Sequence, residues 1–110
     1  MPLTQLENSS ELQTVLDSNE NVVLDFYSTD CPPCAALAPI FEKVAAGYPD
    51  VMFLKMMRQD NRDLAEKFSV MGSPTVLFFR AGKLLDKRLC GRISEEELTQ
   101  AVDGLLNNRA

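Results

Sequence analysis

Two cysteines separated by two prolines are the residues of this chain whose types and spacing could do chemistry. Cys31 and Cys34 follow the apolar segment 22–27 and precede a helical pattern that runs to Ala46. A Cys-x-x-Cys at the junction of a strand and a helix favours dithiol–disulfide exchange, because the helix start stabilises a thiolate. We expect Cys31 to attack a disulfide and Cys34 to resolve the mixed disulfide that results.

The same cysteine pair has an alternative interpretation as half of a metal site. An all-cysteine metal site needs four thiolates. The chain has three cysteines and no histidine, so a metal would require two chains. Exchange chemistry is therefore favoured, and we expect neither a metal nor a cofactor.

The composition of the chain disfavours several classes of partner. Its 110 residues fit a single domain, 1–110, with one core. The net charge of −5 argues against nucleic acid, which requires a basic face, and no apolar run approaches membrane-spanning length. The first residues lack the basic and apolar regions of a secretory signal. We therefore expect a cytoplasmic protein, with a mature secreted chain as the alternative, and we expect it to be monomeric.

Apolar patterning predicts the elements that must position the two cysteines. The predicted order is βαβαβαββα, in which the first strand is not assigned to particular residues. The other strands are predicted from apolar runs at residues 22–27, 51–57, 75–79 and 83–89. Helices are predicted after capping boxes at 8–11 and 94–97, from the cysteine motif to Ala46, and from an Asn61 cap through Phe68. Residues 58–61 are expected to form a loop.

This order of elements predicts an α/β domain. Strand–helix–strand units imply parallel pairs, and the hairpin at residues 81–82 adds an antiparallel edge. The expected architecture is a central mixed sheet flanked by helices on both faces.

Residues at fixed spacing from the cysteine pair resemble the thioredoxin family across essentially the whole chain. The residues that carry the resemblance are Asp25, Pro39, Lys55, the segment Gly-Ser-Pro-Thr at 72–75, Gly82 and Gly91. In the family, the segment that corresponds to residues 72–75 is Gly-Ile-Pro-Thr. The resemblance implies the thioredoxin fold and a reductase of protein disulfides. It also implies a separate electron donor of the thioredoxin-reductase type, since the chain has no visible dinucleotide motif.

The resemblance implies catalytic roles for Asp25 and Lys55. Burial in an apolar strand raises the pKa of a carboxyl group, and the family places Asp25 where it takes the proton of Cys34. The alternative is an aspartate at a strand end that reaches solvent. Lys55 is expected to lie near Asp25 and tune it, and the alternative for Lys55 is an ordinary solvated lysine.

Substrate contacts are implied for four residues outside the cysteine motif. Pro74 is expected to follow a cis peptide bond, and the backbone of Ser73 is expected to pair with a bound peptide like an added strand. Cys90 is expected to precede Gly91 in an exposed loop beside the active site. The alternatives are an ordinary trans proline at Pro74 and a small buried hydrophobe at Cys90.

The motif departs from the family pattern of Trp-Cys-Gly-Pro-Cys. Asp30 replaces the tryptophan, Pro32 replaces the glycine beside Pro33, and Tyr27 stands where a second tryptophan is common. Because neither proline has an N–H, and because Asp30 adds a negative charge if it points toward the sulfur, we expect a raised pKa at Cys31. The hypothesis is a reductant rather than an oxidant whose rim, including Asp30 and both prolines, contacts substrate. Alternatively, Asp30 caps the helix by accepting a backbone N–H.

Two other functions remain open at this point. One is a disulfide oxidase or isomerase, which would need an oxidising compartment. The other is a redox-inactive binding module on the same fold.

Overall fold

A mixed β-sheet forms the centre of the fold. In the computed structural model, which describes residues 3–107, the strand order is β1-β3-β2-β4-β5. The strands are β1 (Leu3–Leu6), β2 (Asn21–Tyr27), β3 (Met52–Met57), β4 (Thr75–Arg80) and β5 (Lys83–Cys90). β3 pairs parallel with both β1 and β2, whereas β4 pairs antiparallel with both β2 and β5. The predicted α/β class and mixed sheet are confirmed, and β1 supplies the strand that the patterning did not locate.

The helices agree with the predicted segments to within a few residues. They are α1 (Ser9–Ser18), α2 (Pro32–Ala46), α3 (Arg62–Lys67) and α4 (Glu95–Leu106). Residues 58–60, expected as loop, form a single 3-10 turn before α3. Among residues 3–107, no helix is long and apolar enough to cross a membrane.

Helices cover both faces of the sheet, as expected. On one face, Phe41 of α2 and Leu98 of α4 pack with Val23 and Phe53 of the sheet. On the other face, Leu12 of α1 and Leu64 of α3 pack with buried residues of alternate parity, among them Leu24 and Leu54. β2 lies between β3 and β4 and is buried from Val22 through Phe26. This burial explains why the sequence of β2 is apolar without alternation.

The predicted helix caps are only partly confirmed. At α4, Ser94 and Glu97 form the full reciprocal capping box. At α1, Asn8 Oδ1 accepts the Glu11 N–H, but the Glu11 carboxylate accepts from Glu7 rather than from Asn8. Asn61 does not cap α3, since its side chain donates to the carbonyl of Met57.

Sheet register brings three separate segments to one edge of the molecule. Thr75, the first residue of β4, pairs with Phe26 of β2 on one side and with Cys90 of β5 on the other. The residues just before Thr75 therefore lie between the end of β2 and the end of β5. The loop from β2 leads directly into α2, so the start of α2 lies at this edge as well.

Candidate active site

The two cysteines lie at the N-terminus of α2. Cys31 is the N-cap residue, Pro32 and Pro33 occupy the first two helical positions, and Cys34 the third. Cys31 and Cys34 form a disulfide with their Cα atoms 5.2 Å apart, so the structure represents the oxidised state. Cys34 is buried, with 7% of the residue exposed, whereas Cys31 is half-buried. An approaching group therefore reaches the sulfur of Cys31 first.

The backbone N–H of Cys34 points at the sulfur of Cys31. The Cys34 nitrogen lies 3.2 Å from Cys31 Sγ, which accepts its hydrogen bond. In this way the sulfur fills the position that a serine or aspartate oxygen usually fills at a helix start. Because Pro32 and Pro33 have no N–H, the N–H of Cys34 is the first helical donor available to the sulfur.

Asp30 turns the chain into α2 but does not cap it. Its φ of 53° lies in the left-handed region, and its side chain is exposed. Because the cap bond is accepted by the sulfur of Cys31, the alternative prediction that Asp30 caps the helix is wrong. Asp30 instead lines a cleft of about 560 Å³ together with both cysteines and Lys55.

Asp25 is an almost fully buried carboxyl group in the central strand. Only 1% of the residue is exposed, and Oδ1 has no hydrogen-bond partner among the described residues. Burial raises the pKa of Asp25 to about 7, although the positive charge of Lys55 opposes the rise. The prediction of a buried carboxyl with a raised pKa is confirmed, and the alternative of a solvated strand end is wrong.

Lys55 lies opposite Asp25 on the neighbouring strand. The two residues are partners in the parallel register of β2 and β3, which confirms that Lys55 is close enough to influence the carboxyl group. The ammonium group of half-buried Lys55 lies 4.8 Å from the centre of the Tyr27 ring. Tyr27 in turn donates from its hydroxyl to Gln5 Oε1 at 3.1 Å.

The loop before β4 faces the disulfide. The Ser73–Pro74 peptide bond is cis, as the resemblance implied. The carbonyl oxygen of Ser73 lies 3.6 Å from Cys31 Sγ, and the hydroxyl groups of Ser73 and Ser28 share a hydrogen bond. The Ser73 backbone thus borders the sulfur that is more exposed.

Cys90 and Gly91 border the same loop from its other side. Cys90 is an exposed free cysteine, so the alternative of a buried hydrophobe is wrong. It ends β5 rather than lying in a loop. The N–H of Gly91 donates to the carbonyl of Pro74 at 3.0 Å, with a φ of 71° that favours glycine.

Gln59 is a residue at this site that the sequence did not single out. Its side chain accepts from the Thr29 N–H and donates to the Thr29 hydroxyl, both at 2.9 Å. It thereby ties the loop before Cys31 to the 3-10 turn. The sequence contains no signal for this contact, because 30 residues separate the partners and Gln59 lies in an irregular polar segment.

Comparison with known proteins gives the family of this chain. The family model described as Thioredoxin matches residues 3–104. A thioredoxin from Mycoplasmoides gallisepticum is 38% identical over 100 residues, which cover 91% of this chain and 99% of that relative. Thioredoxin-2 from Saccharomyces cerevisiae is 40% identical over 82 residues, covering 74% of this chain and 79% of the relative.

Solved structures show the same fold. Oxidised mitochondrial thioredoxin 3 from Saccharomyces cerevisiae has a TM-score of 0.86 at 30% identity, covering 94% of this chain and 95% of that one. A thioredoxin mutant from Halobacterium salinarum has a TM-score of 0.90 at 27% identity, covering 98% of this chain and 94% of that one. With a cysteine pair joined at the start of α2, this chain belongs to the thioredoxin family of thiol–disulfide oxidoreductases.

Proposed function

We propose that this protein reduces disulfides of protein substrates, with Cys31 as the attacking thiol and Cys34 as the resolving thiol. The observation that carries the assignment is the asymmetry of the pair at the start of α2. Cys31 is the more exposed residue and its sulfur accepts the helix N–H of Cys34, whereas Cys34 is buried. A thiolate at Cys31 would be both accessible and stabilised by the helix start.

The reaction transfers two electrons in two exchange steps. The Cys31 thiolate attacks one sulfur of the substrate disulfide, which breaks that bond, forms a mixed disulfide and releases a substrate thiolate. Cys34, after losing its proton, attacks the Cys31 sulfur. This second step forms the Cys31–Cys34 disulfide and releases the other substrate thiolate. The protein is oxidised and the substrate is reduced to two thiols.

Asp25 is the group proposed to take the proton of Cys34. A carboxyl with a pKa of about 7 can both accept and return a proton near neutral pH, which is the condition for efficient general base catalysis. Lys55 tunes this carboxyl through its charge.

The rim of the disulfide is proposed to bind the substrate backbone and side chains. Ser73, with its carbonyl near Cys31, would pair with an extended peptide, and Pro74 fixes the course of that backbone. Asp30, Pro32 and Pro33 form the rim on the α2 side. Cys90 and Gly91 form the rim on the β5 side, where Gly91 already holds Pro74 by a hydrogen bond.

The protein is proposed to act as a monomeric single domain and as an electron carrier. A separate thioredoxin reductase would reduce the Cys31–Cys34 disulfide after each cycle. The cytoplasm is the proposed location, because an exposed free thiol such as Cys90 persists in a reducing compartment.

Insulin reduction with dithiothreitol as electron source tests the two cysteine roles. Cys31→Ser is expected to abolish turnover and to form no mixed disulfide with substrate. Cys34→Ser is expected to abolish turnover and, when the reduced variant is mixed with substrate after dithiothreitol has been removed, to accumulate a mixed disulfide through Cys31. The two variants control for each other, since both lose one thiol of the same pair. Turnover by Cys31→Ser, or a mixed disulfide trapped through Cys34, would overturn the assignment.

A further inference from the structure

Gln5, Lys55 and Asp25 form one row across the sheet. Lys55 of β3 pairs in register with Gln5 of β1 on one side and with Asp25 of β2 on the other. Partners in register point to the same face of a sheet, and this face is the one covered by α2. The side chain of Lys55 therefore has a neutral amide on one side and a buried carboxyl on the other.

Tyr27 lies across this row. It is two residues beyond Asp25 in β2, so its side chain points to the same face. Its hydroxyl reaches Gln5 on β1 at 3.1 Å, and its ring therefore passes over β3. The ammonium group of Lys55 lies 4.8 Å from the ring centre, within the range of a cation–π interaction. Lys55 forms no ion pair with Asp25 among the described residues.

We propose that Tyr27 is a positioning residue whose ring holds the Lys55 ammonium group apart from the Asp25 carboxyl. A lysine stem is long and flexible, so an ammonium released from the ring would be free to turn toward the opposite charge beside it. Asp25 has an unpartnered oxygen that could accept it. The role of Tyr27 is thus to keep the carboxyl unpaired, and the functional meaning of this arrangement rests on the proposed role of Asp25.

Few other charged or titratable groups lie around this carboxyl. β4 presents the apolar Val76 in register with Asp25. Cys34 of α2 lines the same cleft as Lys55, and it is held in the disulfide in the oxidised protein. Asp30 lines the cleft that Lys55 and Cys34 also line. Among the described residues, Lys55 is the cation that acts on Asp25 electrostatically. The position of its ammonium group therefore sets the strength of this interaction.

The test is an NMR titration of the Asp25 carboxyl carbon in the oxidised protein, which requires no catalysis. In Tyr27→Leu the ring is lost, and the titration midpoint of Asp25 is expected to fall by about one pH unit or more as Lys55 pairs with it. Tyr27→Phe is the matched control, because it keeps the ring and loses only the bond to Gln5. Its midpoint is expected to stay close to that of the wild type.

A double variant separates this effect from simple entry of water. If Lys55 causes the fall in the Asp25 midpoint, the double variant Tyr27→Leu/Lys55→Gln is expected not to show that fall. Its Asp25 midpoint should then be no lower than in Lys55→Gln alone. An equal fall in the Lys55→Gln background would overturn the proposal, as would an unchanged midpoint in Tyr27→Leu. An equal fall in Tyr27→Phe would also overturn it, because the hydroxyl rather than the ring would then hold Lys55.

A second ringless variant guards against misfolding. Tyr27→Val keeps a residue that suits a strand and is expected to give the same fall as Tyr27→Leu. A midpoint for Tyr27→Val equal to that of Tyr27→Phe would contradict the proposal. Because the readout is a carboxyl titration, a failure of disulfide reduction would refute the proposed function without affecting this result.

Discussion

At Cys31 a sulfur atom takes the place of the oxygen that caps most helices. The side chain of an N-cap residue accepts from the N–H of the second or third helical residue. In α2 the second residue is Pro33, which has no N–H, and the third is Cys34, which supplies the bond at 3.2 Å. The stability of a Cys31 thiolate therefore depends on one backbone donor where two are possible.

Restoring that second donor should make Cys31 reactive at lower pH. Pro33→Ala introduces an N–H in capping position, and a hydrogen bond to a charged group contributes about 1.5–3 kcal/mol. We expect the apparent pKa for alkylation of Cys31 by iodoacetamide to fall by about one pH unit or more in the reduced protein. The measurement is the pH profile of the alkylation rate.

Pro32→Ala is the matched control for loss of a rigid ring. It restores the N–H of the first helical residue, which does not serve as a donor to an N-cap side chain, so its alkylation profile should move less than that of Pro33→Ala. Equal profiles for the two variants would show that chain stiffness, rather than the missing donor, sets the reactivity of Cys31.

Two side-chain contacts fasten the segment between β2 and α2 to its neighbours. Ser28 bonds to Ser73 of the loop before β4, and Thr29 bonds twice to Gln59 of the 3-10 turn. These contacts hold the residues that lead into Cys31 on two sides. The loop between β2 and α2 is therefore held in place by side chains from two distant segments of the chain.

Loss of Gln59 should loosen this segment without unfolding the protein. In Gln59→Ala the amide of Thr29 loses its acceptor, and one net hydrogen bond is worth about 0.5–1.5 kcal/mol. Hydrogen exchange at the Thr29 amide is expected to accelerate by about threefold to tenfold. Gln13→Ala is the control, since Gln13 makes a side-chain bond within α1, to Asp17; equal acceleration at Thr29 in that variant would contradict the assignment.

At the level of elements, helices and strands with a strong local sequence pattern can be located from the sequence, whereas those with a weak pattern cannot. The buried run of β2 and the capping box of α4 each contain their own signal. β1 has only four residues, of which Thr4 and Gln5 are exposed, so its sequence carries no clear pattern and its strand depends on pairing with β3. The 3-10 turn before α3 likewise has no clear sequence pattern, and Gln59 within it bonds to the distant Thr29.

The cap of α4 allows a test of one local signal. Ser94 Oγ accepts from the Glu97 N–H, and Glu97 Oε1 accepts from the Ser94 N–H, both at 3.0 Å. Ser94→Ala is expected to lower the free energy of unfolding by about 1 kcal/mol, measured by urea denaturation. Ser10→Ala, on the exposed surface of α1, is the control, and an equal loss there would remove the capping explanation.

For the molecule as a whole, Asp25 links stability to pH. Below pH 3.8, which is the ordinary pKa of an aspartate carboxyl, Asp25 is protonated in both the folded and unfolded states. Between pH 3.8 and the folded-state pKa of about 7, the folded state keeps a proton that the unfolded state has lost. Stability therefore falls as pH rises through this window, and the full cost is about 4 kcal/mol above pH 7.

Asp25→Asn should remove this pH dependence. We expect its free energy of unfolding, relative to that of the wild type, to be about 4 kcal/mol higher near pH 8 than near pH 4. Urea denaturation of the oxidised protein at both values measures the difference, and Asp50→Asn at an exposed position controls for the substitution itself. A relative stability that is the same at both pH values would contradict a buried, protonated Asp25.

Chemistry that lies within one motif, or that the family resemblance implies, can be predicted from the sequence, whereas contacts between strands that the resemblance does not cover cannot. The cysteine pair, its prolines and the cis bond before Pro74 follow from adjacent residues or from the family resemblance. The position of Lys55 beneath Tyr27 depends on strand order and register, which brings Gln5 beside Lys55. The sharing of one row by these side chains becomes visible only when the sheet is assembled.

The exposed position of Cys90 has a practical consequence for experiments on the oxidised protein. Of the three cysteines, all within the described residues, it is the one with a free thiol, so a maleimide dye would attach at a single site without any engineered residue. The dye would sit next to Thr75 and the cis proline. Its fluorescence should therefore provide an optical signal for the arrival of a binding partner.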